Sequence, residues 1–296
     1  MRPSRLITLL VVLASATACG QAQANHTNTN STAPPASTQS STPKPAVELA
    51  ASAARTSHAK SARMAMTMRM TVPPNGESIV AHATGVVGFR SRDGDLTMNM
   101  TIPGAGVIRM REVMVWPVIY MRSPLFAAGL HGKQWMKLDM AKIERAHGVN
   151  LNALTSTNSS DPTQMLQTLE NESDSLRNLG AATVRGVQTV HYHVVIDLDK
   201  AARNAPAAMR AAVRQSDARL VAMLGTHRMP MDVWIGRDHL VRRLAYHMAL
   251  PIASTGETMA MDVRLDMFDF GVPVHVTPPP AGQVAELPAA AMASTR

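Results

Sequence analysis

Met64-Ala65-Met66-Thr67-Met68-Arg69-Met70 alternates without a break. Side chains of an extended strand point to opposite faces in turn, so this order puts four methionines on one face and Ala, Thr and Arg on the other. The pattern recurs in Leu96-Thr97-Met98-Asn99-Met100-Thr101-Ile102, in Met229-Pro230-Met231-Asp232-Val233-Trp234-Ile235, and in Met259-Ala260-Met261-Asp262-Val263-Arg264-Leu265. From Leu240 to Met248 the apolar positions are 240, 244, 246 and 248, with Arg242 interrupting the series. Each segment predicts a half-buried strand.

Working outward, further strands are expected at about 80–90, 107–116, 117–122, 134–139 and 189–198. Turn signals separate many of these runs: Pro73-Pro74-Asn75-Gly76, Arg92-Asp93-Gly94-Asp95, Ile102-Pro103-Gly104, Gly236-Arg237-Asp238 and Ser254-Thr255-Gly256. Short strands joined by tight turns form antiparallel meanders. Helices are expected at three points. Ala46 to Ala59 is Ala-rich, with Val47, Leu49 and Ala50 spaced for one face. Asp161-Pro162 opens a second, carrying Met165, Leu166, Leu169 and Leu176 and ending near Gly180. Asn204-Ala205-Pro206 starts a third, with Met209, Val213, Leu220 and Leu224 on one side and Gly225 as the stop. The fold class that follows is α+β and β-rich, about ten antiparallel strands with a few helices on the concave face. A sheet of that width must twist and curl, and three short helices cover only part of it.

The N-terminus has the layout of a secretory signal: Arg2 and Arg5, the apolar run Leu6 to Ala14, then Ser15-Ala16-Thr17-Ala18. The run is shorter than the roughly 20 residues that cross a bilayer. Cys19, the single cysteine of 296 residues, follows directly, where a lipobox places the thiol that receives a diacylglyceryl group. Ala16-Thr17-Ala18 also satisfies the ordinary signal-peptidase rule, which would leave the chain simply secreted. Residues 1–18 are therefore read as signal, and 19–46 as a lipidated cysteine with a Thr/Ser/Pro-rich tether too poor in bulky apolar residues to fold. Residues 47–284 are the domain, and 285–296 an Ala-rich disordered tail. The precursor carries a net charge of +8. A basic surface outside the cell favours anionic headgroups or wall polymers, whereas export and ten aromatic residues argue against nucleic acid.

Several strings then gain weight together: Val118-Ile119-Tyr120-Met121, Gly132-Lys133-Gln134-Trp135, Gly186-Val187-Gln188-Thr189-Val190-His191-Tyr192, Ile196-Asp197-Leu198-Asp199, Asp232-Val233-Trp234-Ile235, Leu240-Val241-Arg242-Arg243, and Phe270-Gly271-Val272-Pro273-Val274-His275-Val276-Thr277-Pro278-Pro279. In order and spacing, over roughly residues 47 to 284, the chain resembles the LppX/LprA/LprF/LprG lipoproteins of actinobacteria. That resemblance implies a LolA/LolB-like curved half-barrel and a ligand class of acylated lipids or lipoglycans, carried between the plasma membrane and the outer envelope. Independently of the resemblance, the chain is expected to need no cofactor and to act as a monomer held by Cys19 at the outer face of the plasma membrane, with an envelope transporter as the candidate protein partner.

The methionine faces are the candidate ligand wall, because methionine is unbranched and polarizable and re-packs around irregular apolar shapes. The candidates are Met64, Met66, Met68, Met70, Met98, Met100, Ile102, Val194, Ile196, Met231, Val233, Leu244, Met259, Met261 and Val263. For any single methionine, plain core is the stronger reading. Met64, Met66, Met68 and Met70 could alternatively present thioethers to Cu(I). Arg242, on the apolar parity of its strand, is the candidate for a phosphate or carboxylate headgroup. His191 and His193 share a strand face with Asp197, opposite the buried-looking Tyr192, Val194 and Ile196, and are read as solvated. The chain contains no G-x-S-x-G, H-E-x-x-H, C-x-x-C or Walker-type loop, and nothing in it points to an enzyme. The remaining alternative is a scaffold lipoprotein with the same fold and a closed core.

Overall fold

A computed structural model describes residues 45–73, 76–142, 173–197, 225–252 and 256–286, with helical positions at 199–200, 203, 210–211, 214–215, 218 and 221. The expected signal, Cys19, the expected tether up to residue 44, residues 161–172 of the expected second helix, most of the expected helix from Asn204 and the expected tail from 287 lie outside the described residues. At the end of that third segment, the Gly225 N–H donates to the Val221 carbonyl at 2.8 Å and Gly225 has φ +66°, the left-handed stop that glycine permits.

Two meanders make one sheet. The first runs β1 (Ser61–Val72), β2 (Glu77–Gly88), β3 (Gly94–Ile102), β4 (Gly106–Val115), β5 (Val118–Arg122) and β6 (Trp135–Asp139); the second runs β7 (Ser173–Val184), β8 (Val187–Asp197), β9 (Arg228–Gly236), β10 (Val241–Pro251) and β11 (Thr258–Phe268). β11 returns to pair antiparallel with β1, and β12 (Val284–Glu286) adds to β6 in parallel. The order β12-β6-β5-β4-β3-β2-β1-β11-β10-β9-β8-β7 leaves an open, curved, twelve-stranded sheet.

All ten expected strands are present, and among the described residues the sheet counts twelve strands rather than about ten. β7 overturns the C-terminal part of the expected second helix, because residues 173–180 pair with β8, Leu176 opposite Val194. The leucine spacing suggested a helix, but the Arg185-Gly186 turn decides otherwise. Both residues have positive φ, 49° and 81°, the two-residue geometry that matches the twist of a hairpin. β12 extends the ordered sheet to Glu286, whose carboxylate accepts from Lys137 Nζ at 2.8 Å and Lys142 Nζ at 3.2 Å. Those ammonium groups hold its pKa below the ordinary value.

The register aligns apolar residues into rows across the strands. Met66 faces Leu265 on β11 and Ala83 on β2; Ala83 faces Met98, and Met98 faces Met110. On the other face lie exposed charges and their partners, such as Arg111 with Asp95 and His247 with Asp262. The apolar face buries two clusters, one around Met64, Leu96, Met121, Val194 and Ile235 and one around Met68, Met70, Met100, Met248 and Met261. Helix α1 (Pro45–His58) is Ala-rich, with Glu48 in its first turn and Arg55 and His58 in its last, which suits the helix dipole. It buries Leu49 and Ala50, while Val47 stays outward at 38% exposure. Its Thr56 hydroxyl donates to Ser52 O and accepts the Val241 N–H, fixing the helix to β10.

A candidate apolar binding cavity

Between the two clusters the concave face holds a cavity of about 180 Å³. Its floor is Met64 and Met66 of β1, Ala83 of β2, and Val263 and Leu265 of β11. One wall is Leu96 and Met98 of β3, Met110, Arg111 and Glu112 of β4, and Met121 of β5; the other is Met231 of β9 with Leu244 and Tyr246 of β10. β5 and β9 are seven strands apart in the sheet. At about 4.8 Å per strand a flat sheet would separate them by about 34 Å, so their meeting at one small cavity is direct geometric evidence of the curl. Many of the lining side chains, among them Met66, Met98, Met110, Met231 and Leu244, are half-buried, whereas the clusters on either side are closed.

Of the residues singled out from sequence, Met64, Met66, Met98, Met231, Leu244 and Val263 border this cavity. Met68, Met70, Met100, Met259 and Met261 are buried in the second cluster, with Ile102 packed against it. Val194 and Val233 are buried in the first, and Ile196 is half-buried at the end of β8. Same-face neighbours on a strand are about 6.6–6.8 Å apart, which spreads Met64 to Met70 over about 20 Å. Thioethers that share one soft cation must converge on a point. Among the described residues no group of three or more His, Cys, Asp or Glu is placed to hold a metal ion.

Arg242 stands at a register shift between Val241 and Arg243, which is the local reason its parity departs from the rest of β10. Its guanidinium pairs with Asp238 and lies 4.9 Å from the Phe270 ring centre, with Nε buried and unpartnered. The histidines occupy the outer face as expected, but they are partnered rather than solvated. His191 Nε2 and His193 Nδ1 lie 2.8 and 3.2 Å from Asp232 Oδ1, and the His191 ring stacks on Trp234 at 4.1 Å. Asp232 takes the place that strand parity suggested for Asp197, because β9 lies beside β8 and presents it at the same height. Asp266, one of the outer-face carboxylates, is only 8% exposed and is held bidentately by Arg243 at 2.6 and 2.8 Å.

The residue that the strand reading passed over is Glu112. It follows Ile108 and Met110 and precedes Met114 on one parity of β4, facing Leu96 on β3 and Met121 on β5. That alternation was the available signal. Among the described residues no hydrogen bond or ion pair reaches its carboxylate, and burial alone raises its pKa from 4.5 to about 7. Arg111, next in the chain, points the other way and is engaged by Asp95 at 3.0 and 2.6 Å. Tyr246, across the cavity, also has its pKa raised by burial.

No protein-family model and no curated protein matches the chain. It is similar to the solved structure of LprF from Mycobacterium bovis, at 15% identity and a TM-score of 0.43 over 80% of this chain and 98% of that one. It is also similar to the lipoprotein LppX from Mycobacterium tuberculosis, at 15% identity and a TM-score of 0.39 over 77% and 98%. Among the described residues no helix is long and apolar enough to cross a membrane.

Proposed function

We propose that this chain is a non-catalytic lipoprotein of the cell envelope, anchored at Cys19 to the outer face of the plasma membrane, that binds and carries acylated lipids or lipoglycans by taking an acyl segment into the concave cavity. The observation that carries the reading is the lining itself: six methionines, from β1, β3, β4, β5 and β9, around about 180 Å³ of space. An apolar cavity of about 150 Å³ is enough to take up benzene. This one therefore accommodates a short stretch of one chain, and carrying a longer or second chain requires the walls to open. Methionine side chains, with several rotatable bonds, are suited to that. Arg242 would serve an anionic headgroup by exchanging Asp238 for it. The domain acts as a monomer on a tether whose span, for about 27 residues, is roughly 30 Å, enough to turn its cavity to the bilayer or to an envelope transporter.

The small cavity also favours a second reading, a scaffold lipoprotein whose core is nearly closed. Native mass spectrometry with lipid extraction, on the full chain purified from membranes, separates the two. Co-purifying acylated species support the carrier; a ligand-free chain that takes up no fluorescent lipid refutes it. For the anchor, Cys19→Ala is expected to move the chain from the membrane fraction to the soluble fraction, and continued membrane association would refute the assignment.

A further inference from the structure

We infer that Glu112 selects the ligand of this cavity, and that the preferred occupant is an amphiphile bearing a positively charged ammonium group on an apolar chain. The inference rests on the cavity being a binding site and names the chemistry that the site recognises. A carboxylate in an apolar wall with no counter-charge is costly, and it stabilises whatever brings one.

The surroundings of Glu112 exclude a protein partner among the described residues. Its neighbours on β3 and β5 are Leu96 and Met121. The segment Pro124–Leu130, which packs on β4, has no ionisable side chain. From the opposite wall the titratable group is Tyr246, a neutral phenol, and the charge of Arg111 is already met by Asp95 outside. β1 and β11 contribute methionine, valine and leucine.

The chemistry discriminates among ligands by charge. A cationic ligand pairs with ionised Glu112. A neutral chain gains nothing from it and binds best when Glu112 is protonated. An anionic group brought against Glu112 inside the cavity is repelled, whatever headgroup Arg242 meets outside it. Because the carboxyl titrates near 7, the sign of the pH dependence reports the ligand class.

The test uses the complete chain bearing Cys19→Ala, with methionine methyl groups labelled in ¹³C, titrated with hexylamine, hexanol and hexanoate at pH 6 and 8.5. The expected result is that hexylamine shifts the methyl signals of Met64, Met66, Met98 and Met121, with an affinity about tenfold higher at pH 8.5 than at pH 6. That ratio follows from the ionised fraction of a group titrating near 7. Glu112→Gln should erase the pH dependence and the preference for amine over alcohol, with hexanol binding at pH 8.5 as tightly as it does at pH 6. Hexanol binding as tightly as hexylamine at pH 8.5, or an amine preference that survives Glu112→Gln, overturns the inference and leaves the cavity reading standing. If none of the probes moves these methyl signals, both fall.

Discussion

Glu112→Gln keeps the shape of the side chain and removes its charge, so the difference between wild type and variant isolates one titration. In the folded protein the carboxyl titrates at about 7, against 4.5 when solvated. The folded state therefore holds the proton more tightly than the unfolded state, and its contribution to stability is fully present below about pH 4.5 and lost as pH rises through about 7. At 1.36 kcal/mol per pH unit that shift corresponds to about 3 kcal/mol. Water reaching a half-buried group screens part of it, which makes about 3 kcal/mol the ceiling and about 2 a working figure. Urea unfolding at pH 4.5 and 8.5 measures the effect. With a denaturant slope of about 2–3 kcal/mol per M, the wild-type midpoint should fall by about 1 M relative to Glu112→Gln over that interval. Parallel pH profiles for the two proteins would show that the Glu112 carboxyl is solvated, and the desolvation argument would fail.

Other outcomes test the packing. A Cβ on Gly85 would lie 2.1 Å from the Asp95 carbonyl and 2.7 Å from Leu96 Cδ2, so Gly85→Ala should cost about 1–3 kcal/mol in chemical denaturation. Arg243→Met leaves the Asp266 carboxylate buried and without its bidentate donor, and should cost about 3 kcal/mol by the same measurement; a change near zero would refute the pair's structural role. Ala83→Leu places three more carbons in the cavity floor and should abolish fluorescent-lipid uptake while the chain stays folded by circular dichroism.

Period-two alternation made ten strands legible because it is a local consequence of which face is buried, and the methionine runs carry it strongly. Alanine content and helical spacing located α1, and the turn residues Pro103-Gly104 and Arg237-Asp238 marked the β3–β4 and β9–β10 connections. β7 and β12 were not legible for different reasons. In β7 the leucine spacing mimicked a helix, and pairing with β8 overrode it. β12 is three residues long and gains its partner only when the chain end returns to β6, where the Gln134 N–H donates to Gln283 O at 3.0 Å.

Alternation also identified the methionine faces, but it reports parity and not depth. Met66 and Met68 share a strand face, yet one borders the cavity and the other is sealed in a cluster, because that difference depends on strands distant in sequence. Glu112 shows both halves of the lesson. Its place on the apolar parity of β4 could be read from residues 108 to 114. That no cation among the described residues reaches it is a property of the assembled sheet, since Asp95 engages Arg111 on the outer face and the opposing wall, brought round by the curl, presents Tyr246. The chain's own order determined the strands and which face each strand would bury. Only the tertiary structure decided where the two meanders close to leave space, because that space is set by register and curvature across strands distant in sequence.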